Sequence, residues 1–292
     1  MNNQNLIIIG KNSYIGGYFT KYVNDSNNVI SLSSKDCNFL ESEEVENLFS
    51  SLNDNQPYTL VCFAGISRLL ANSFDSYNDN IKIVNNLIKY CQLANIKSII
   101  YLSSVDVYGS KPCLPIAEQS KIEPDTWYGL AKYSSEWILL SSPEVKCPVT
   151  ILRIPGIYGN APNDRSVIAK IASSIKNQQR VYIKGSGQNL RDYVYLGDIC
   201  NLLELLIPLQ YHGIINVATG QSHAIIDIAN LVAEISQIQL EVIYQPPEAE
   251  REFDIRFDTQ KLTGIVPNFR FTSLGQGIRS YFEESRPNST GE

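Results

Sequence analysis

Histidine is nearly absent from this chain of 292 residues: only His212 and His223 occur. A histidine-built metal centre is not indicated, and no metal ligand set is expected. Six cysteines are present (Cys37, Cys62, Cys91, Cys113, Cys147 and Cys200), but none stands in a C-x-x-C pair. That scatter suggests neither a zinc site nor a disulfide framework, and a reduced, cytoplasmic protein fits it. No apolar run approaches the ~20 residues of a membrane span. The opening Met1-Asn2-Asn3-Gln4-Asn5 lacks the basic and apolar regions of a secretory leader. Basic residues are outnumbered, 24 Lys+Arg against 30 Asp+Glu, and the net charge of −6 argues against general nucleic-acid binding. Internal repeats are absent as well.

What the chain does contain is an alternation of short apolar runs and helix-like segments. Strand-like runs fall at Leu6–Ile9, Val29–Leu32, Leu60–Phe63, Ile99–Leu102 and Val149–Leu152. Helix-like segments intervene, including Glu43 to Leu52, Ile81 to Cys91 and Tyr128 to Leu140. Such alternation predicts parallel βαβ units, hence an α/β fold with a doubly wound parallel sheet. After Tyr158 the pattern loosens, with Pro162 and Asn163 in a loop, a helix from Ser166 to Lys176 and a strand from Arg180 to Ile183. The tail from Arg286 to Glu292 reads as frayed.

Three segments carry chemistry. Tyr128 and Lys132 stand four residues apart on a predicted helix, so they share a face one turn apart. A phenol titrates near ~10 and shuttles protons poorly at neutral pH unless a cation stabilises the phenolate; a neighbouring ammonium makes the pair a general acid/base. The pair means little alone. The run Leu6–Ile9 ends at Gly10, followed by Lys11-Asn12-Ser13-Tyr14-Ile15-Gly16-Gly17 and a helix-like stretch. Strand, glycine turn and helix start make a phosphate site, because glycines admit the backbone and the helix N-terminus offers amides. The third segment, Tyr101-Leu102-Ser103-Ser104-Val105-Asp106-Val107-Tyr108-Gly109, reads as a strand whose carboxyl end delivers both serine hydroxyls into a ligand crevice.

In this order the segments resemble the extended short-chain dehydrogenases/reductases that act on nucleotide sugars. Leu152-Arg153-Ile154-Pro155-Gly156-Ile157-Tyr158-Gly159 and the run from Gly185 through Arg191-Asp192 to Asp198 extend the resemblance, as do Asn216 and Arg251. It runs from about Leu6 to about Phe282, specific for the superfamily rather than for one reaction. It implies a Rossmann-like domain over 1–160 plus about 196–220, and a smaller α/β substrate-binding lobe over about 161–195 plus 235–285. It also implies a nicotinamide dinucleotide, a nucleotide-diphosphate sugar substrate of the kind used in polysaccharide biosynthesis, and a homodimer. Tyr128, Lys132 and Ser104 take the catalytic places, and Asp106 a substrate-side place. Ala64 and Gly65 let the dinucleotide pass the third strand, Asn80 supports that strand end, and Arg191 and Arg251 clamp the substrate diphosphate.

Cofactor and reaction are read from particular positions. Members that use NAD usually end the second strand with a carboxylate for the adenosine ribose. Here it ends Leu32-Ser33-Ser34-Lys35, with Asp36 beyond and expected beside the adenine. Hydroxyls and an ammonium suit a 2′-phosphate, and Lys11 adds charge on the same side, so NADP(H) is favoured over NAD. The 4,6-dehydratases of this family carry an Asp-Glu pair after the hydroxyl residue, where this chain has Val105-Asp106. Its reductase-epimerases carry a cysteine at the place of Val105. The reading therefore favours NADPH-dependent reduction of a 4-keto sugar nucleotide, with a 4-epimerase retaining NAD as the alternative and a non-catalytic NADP(H)-sensing relative as a third.

Overall fold

The computed structural model describes residues 4–23, 28–52, 55–159, 164–246 and 253–284. Arg251, the Pro162-Asn163 loop and the 286–292 tail lie outside the described residues. The chain opens with β1 (Asn5–Ile9), α1 (Tyr14–Val23), β2 (Asn28–Leu32), α2 (Ser42–Ser51) and β3 (Tyr58–Cys62). It continues through α3 (Phe74–Tyr90), β4 (Ile96–Ser104), α4 (Trp127–Ser141) and β5 (Val149–Ile154). Then come β6 (Gly156–Tyr158), α5 (Val167–Gln178), β7 (Arg180–Lys184), β8 (Leu190–Tyr195), α6 (Leu196–Leu209) and β9 (Gly213–Asn216). The C-terminal part holds β10 (Ser222–Ala224), α7 (Ile225–Ser236), β11 (Glu241–Gln245), α8 (Gln260–Ile265) and α9 (Leu274–Glu284).

Two compact units result. The first comprises Met1–Gly109, Ser120–Ile154 and Cys200–Asn216. Its sheet has the order β2-β1-β3-β4-β5-β9, and every pairing is parallel. Parallel strands buried on both faces need continuous apolar runs, and β3 and β5 are buried at every position. The winding reverses between β1 and β3, the switch point at which open α/β sheets bind ligands. Helix α3 starts at Phe74, seven residues before its apolar pattern, because Ser73 and Ser76 form a reciprocal capping box. Cys62 and Cys91 are core residues.

The second unit comprises Ser110–Gln119, Pro155–Ile199 and Val217–Glu292. It holds a three-stranded sheet, β10-β8-β6, and a parallel pair, β11-β7. Ile168, Ile171, Ile175, Val181 and Ile183 form its core with Ile228, Val232 and Ile278. Among the described residues no helix is long and apolar enough to cross a membrane.

Candidate active site

Most of the residues singled out in the sequence collect at the carboxyl ends of β1 to β4 and on α4, all in the first unit. Strand β1 ends at Gly10, whose φ of +96° suits glycine. A Cβ there would stand 2.8 Å from the Ala64 nitrogen, and a Cβ on Gly16 would collide with the Gly10 carbonyl oxygen. The turn is therefore closed against β3 and against itself at both glycines. Ser13, midway between Gly10 and Gly16, caps α1: its Oγ accepts from the Gly16 N–H at 3.1 Å. Tyr14 and Ile15 stand in the first helical turn, whose amides carry the positive end of the helix dipole.

At the end of β2, Ser33 is buried while Ser34, Lys35 and Asp36 are exposed. Asp36 folds back: its Oδ2 accepts from the Ser33 amide (2.8 Å) and hydroxyl (2.6 Å), and the Lys11 ammonium lies 2.9 Å away. Lys11 thus already has a counter-charge from its own chain. At the end of β3, Gly65 adopts φ +150°. Asn80 is buried and holds the next residue, accepting from the Ile66 N–H (2.8 Å) and donating to the Ile66 (3.1 Å) and Ser76 (2.8 Å) carbonyls. With its amide so committed, Asn80 positions the loop. A Cβ on Gly65 would lie 3.0 Å from Asn80 Oδ1 and 3.6 Å from Lys132 Nζ, so the three meet at one place.

Helix α4 is capped by Thr126, whose hydroxyl accepts from the Gly129 N–H at 3.0 Å. Gly129 lets the helix approach the turn that follows β4: a Cβ there would be 2.5 Å from the Asp106 carbonyl oxygen. Lys132 is buried, donates to the Leu102 carbonyl (2.7 Å) and Tyr101 hydroxyl (3.2 Å), and lies 5.9 Å from the Tyr128 ring centroid. Burial pushes the Tyr128 phenol above its ordinary range, and Lys132 only partly pulls it back. The expected lowering by Lys132 is thus present but outweighed by desolvation. Ser104 accepts from the Asp106 N–H at 3.1 Å.

One expectation fails here. Ser103 does not face the crevice: its hydroxyl donates to the carboxylate of Glu136, which Arg153 clamps through Nε (3.0 and 3.2 Å) and Nη2 (2.6 Å). Neighbouring residues on a strand point to opposite faces, so Ser103 and Ser104 cannot both reach one ligand. Arg153 also donates to the Tyr108 hydroxyl (2.8 Å), which donates to Asn216 (2.7 Å). The sequence reading also missed Arg68, which pairs with Asp106 at 3.1 Å. Both charges act on Tyr128, Asp106 raising its pKa and Arg68 lowering it. Asn72 accepts from the Tyr128 N–H at 3.1 Å. No motif marked Arg68 or Asn72, since both sit in the irregular segment between β3 and α3.

In the second unit Arg191, on β8, donates to the Leu190 carbonyl (2.8 Å) and the Phe253 carbonyl, with its guanidinium 4.8 Å from the Phe253 ring centre. Asp254 accepts from the Leu190 N–H at 2.9 Å.

Comparison with known proteins adds to this geometry. The profile of the NAD dependent epimerase/dehydratase family matches residues 6–218. The chain is 24% identical over 302 residues to a GDP-L-fucose synthase of Dictyostelium discoideum, covering 94% of this chain and 92% of the relative. It is 26% identical over 212 residues to a dTDP-D-glucose 4,6-dehydratase of the same organism; that match takes in 68% of this chain and spans about half (49%) of the relative's length. Among solved structures, RMD from Pseudomonas aeruginosa complexed with NADPH superposes with a TM-score of 0.83 at 20% identity, over 96% of this chain and 98% of that one. Other solved proteins of the same fold hold NAD.

Proposed function

We propose, from the premise that this chain belongs to the NAD-dependent epimerase/dehydratase family, that it reduces a nucleotide-linked 4-keto(-6-deoxy) sugar with NADPH. The first unit suits a dinucleotide, since the Gly10 and Gly16 positions that would border its phosphates have no room for side chains. Bound NADPH would supply a hydride to the keto carbon. Tyr128 would deliver the proton to the carbonyl oxygen, and Ser104 would hydrogen-bond that same oxygen. Lys132, held by Leu102 and Tyr101, would present its charge to the phenolate left behind and to the nicotinamide ribose. Arg191 and Arg251 remain our assignment for the substrate diphosphate, and a homodimer, checked by sedimentation, belongs to the same proposal.

The observation that carries this reading is the state of the acid groups around Tyr128. Burial keeps the phenol protonated, as a donor in a reduction must be. Asp106, the acid nearest the strand end, is engaged by Arg68, and Val105 fills the position where a dehydratase needs its first acid. The test is turnover of NADPH, followed by absorbance, with a nucleotide-linked 4-keto sugar. We expect stoichiometric oxidation of NADPH. Copurification of tightly held NAD⁺, with interconversion of C4 epimers and no net redox change, would establish the epimerase instead. Binding of NADP(H) with no turnover of any nucleotide-linked sugar, wild type and Tyr128→Phe alike, would favour the sensing relative.

A further inference from the structure

Three donors from two segments converge on a single carboxylate oxygen beside the glycine turn. The Lys11 ammonium and the Ser33 amide and hydroxyl all reach Asp36 Oδ2, at 2.9, 2.8 and 2.6 Å. An ammonium, an amide and a hydroxyl around one anionic oxygen suit a phosphoryl oxygen as well as a carboxylate. Backbone bonds fix the place: the Leu32 carbonyl accepts from the Gly10 N–H (2.8 Å) and the Lys11 N–H (2.9 Å), tying the start of the turn to the end of β2. The anion site is therefore built, and its occupant is the chain's own aspartate.

Resting on the reading that a dinucleotide lies along this turn, we propose that Asp36 is an internal competitor for the 2′-phosphate of NADP(H). The phosphate must displace the carboxylate from Lys11 and Ser33, so the chain binds NADP(H) more weakly than those donors allow. NAD(H) has no such phosphate and leaves the cluster intact. Asp36 thus sets the ratio between the two cofactors from a position four residues beyond the strand end. The Ser33 hydroxyl and amide, and after them Lys11, hold the Asp36 carboxyl well below the usual carboxylate range, so mild acid does not remove the competitor.

The test is calorimetric titration of the full chain with NADP⁺ and NAD⁺, at low salt in phosphate-free buffer. It uses wild type, Asp36→Asn, Lys11→Gln and the double variant. Asp36→Asn is expected to tighten NADP⁺ by about five- to tenfold while NAD⁺ changes by less than about twofold. Lys11→Gln is expected to weaken NADP⁺ more in the Asp36→Asn background than in wild type, because wild-type Lys11 is already engaged. Adenosine 2′,5′-bisphosphate should follow the NADP⁺ pattern; tightening of inorganic phosphate alone would overturn the cofactor role. Wild type and Asp36→Asn binding both dinucleotides with an unchanged ratio would overturn the competitor and leave the dinucleotide reading standing. If neither protein binds either dinucleotide, both ideas fall.

Discussion

Gly16 tolerates nothing larger than hydrogen, because a Cβ there meets the Gly10 carbonyl oxygen and, at 2.8 Å, Ser13 Oγ. Both neighbours belong to the turn itself, so neither can move without reshaping it. Gly16→Ala should cost about 1–3 kcal/mol as an overpacking change and should lose dinucleotide binding outright. Urea denaturation and calorimetry measure the two effects, and intact binding in a destabilised variant would show that the turn is only structural. Tyr128 calls for a pH argument. A phenol raised by burial is protonated at neutral pH, so the reductive rate should be flat there and fall only as the phenol ionises in alkali. The oxidative direction, which needs phenolate, should rise with pH. Tyr128→Phe should lower the reductive rate about 10²–10⁴-fold, and a rate that instead climbs with pH in the reductive direction would rule out Tyr128 as donor. The Tyr128/Lys132 pairing was legible because helical spacing is written in sequence. Tyr101 as partner of Lys132, and Arg68 as partner of Asp106, were not, since each arises from the packing of segments distant in the chain.

Helix α4 presents Tyr128, Lys132 and Glu136 at successive four-residue steps, so one face carries the proposed acid/base pair and a buried carboxylate. Glu136 is compensated by Arg153 of β5, both being about 2% exposed at the side chain, with Ser103 of β4 completing the carboxylate's shell. Removing one member leaves the other charge buried and alone. Glu136→Ala should therefore cost about 3–5 kcal/mol, whereas replacing both partners with apolar residues of similar volume should cost much less. Urea unfolding of the single and double variants decides this; equal losses would mean the pair contributes by packing rather than by charge. Strands β1 to β5 announced themselves as apolar runs, and α4 by its period. The reassignment of Ser103 required the register of β4 beside β5, in which Ser103 lies opposite Arg153.

Over the whole molecule, the first unit was readable because a parallel sheet imposes long apolar runs, whereas the second uses strands of three residues, β6 and β10, too short to show a period. On that division the proposed dinucleotide site is local to one unit. The glycine turn, the β2 end, the β3 loop and the Tyr128 helix all belong to the first unit. NADPH at 100 times its dissociation constant should stabilise the state that binds it by about 2.7 kcal/mol. Hydrogen exchange followed by mass spectrometry should show where that stabilisation resides. Slowing is expected in peptides covering residues 10–23, 33–37 and 64–66, whose amides line or brace the proposed site. The β7–β11 pair contains none of the proposed cofactor ligands, so its exchange is the internal reference. Equal slowing in β7 and in the glycine turn would place the cofactor's effect on global unfolding and remove the case for a local site. Slowing at the turn alone, lost in Gly16→Ala, would tie the bound dinucleotide to the β1–α1 junction.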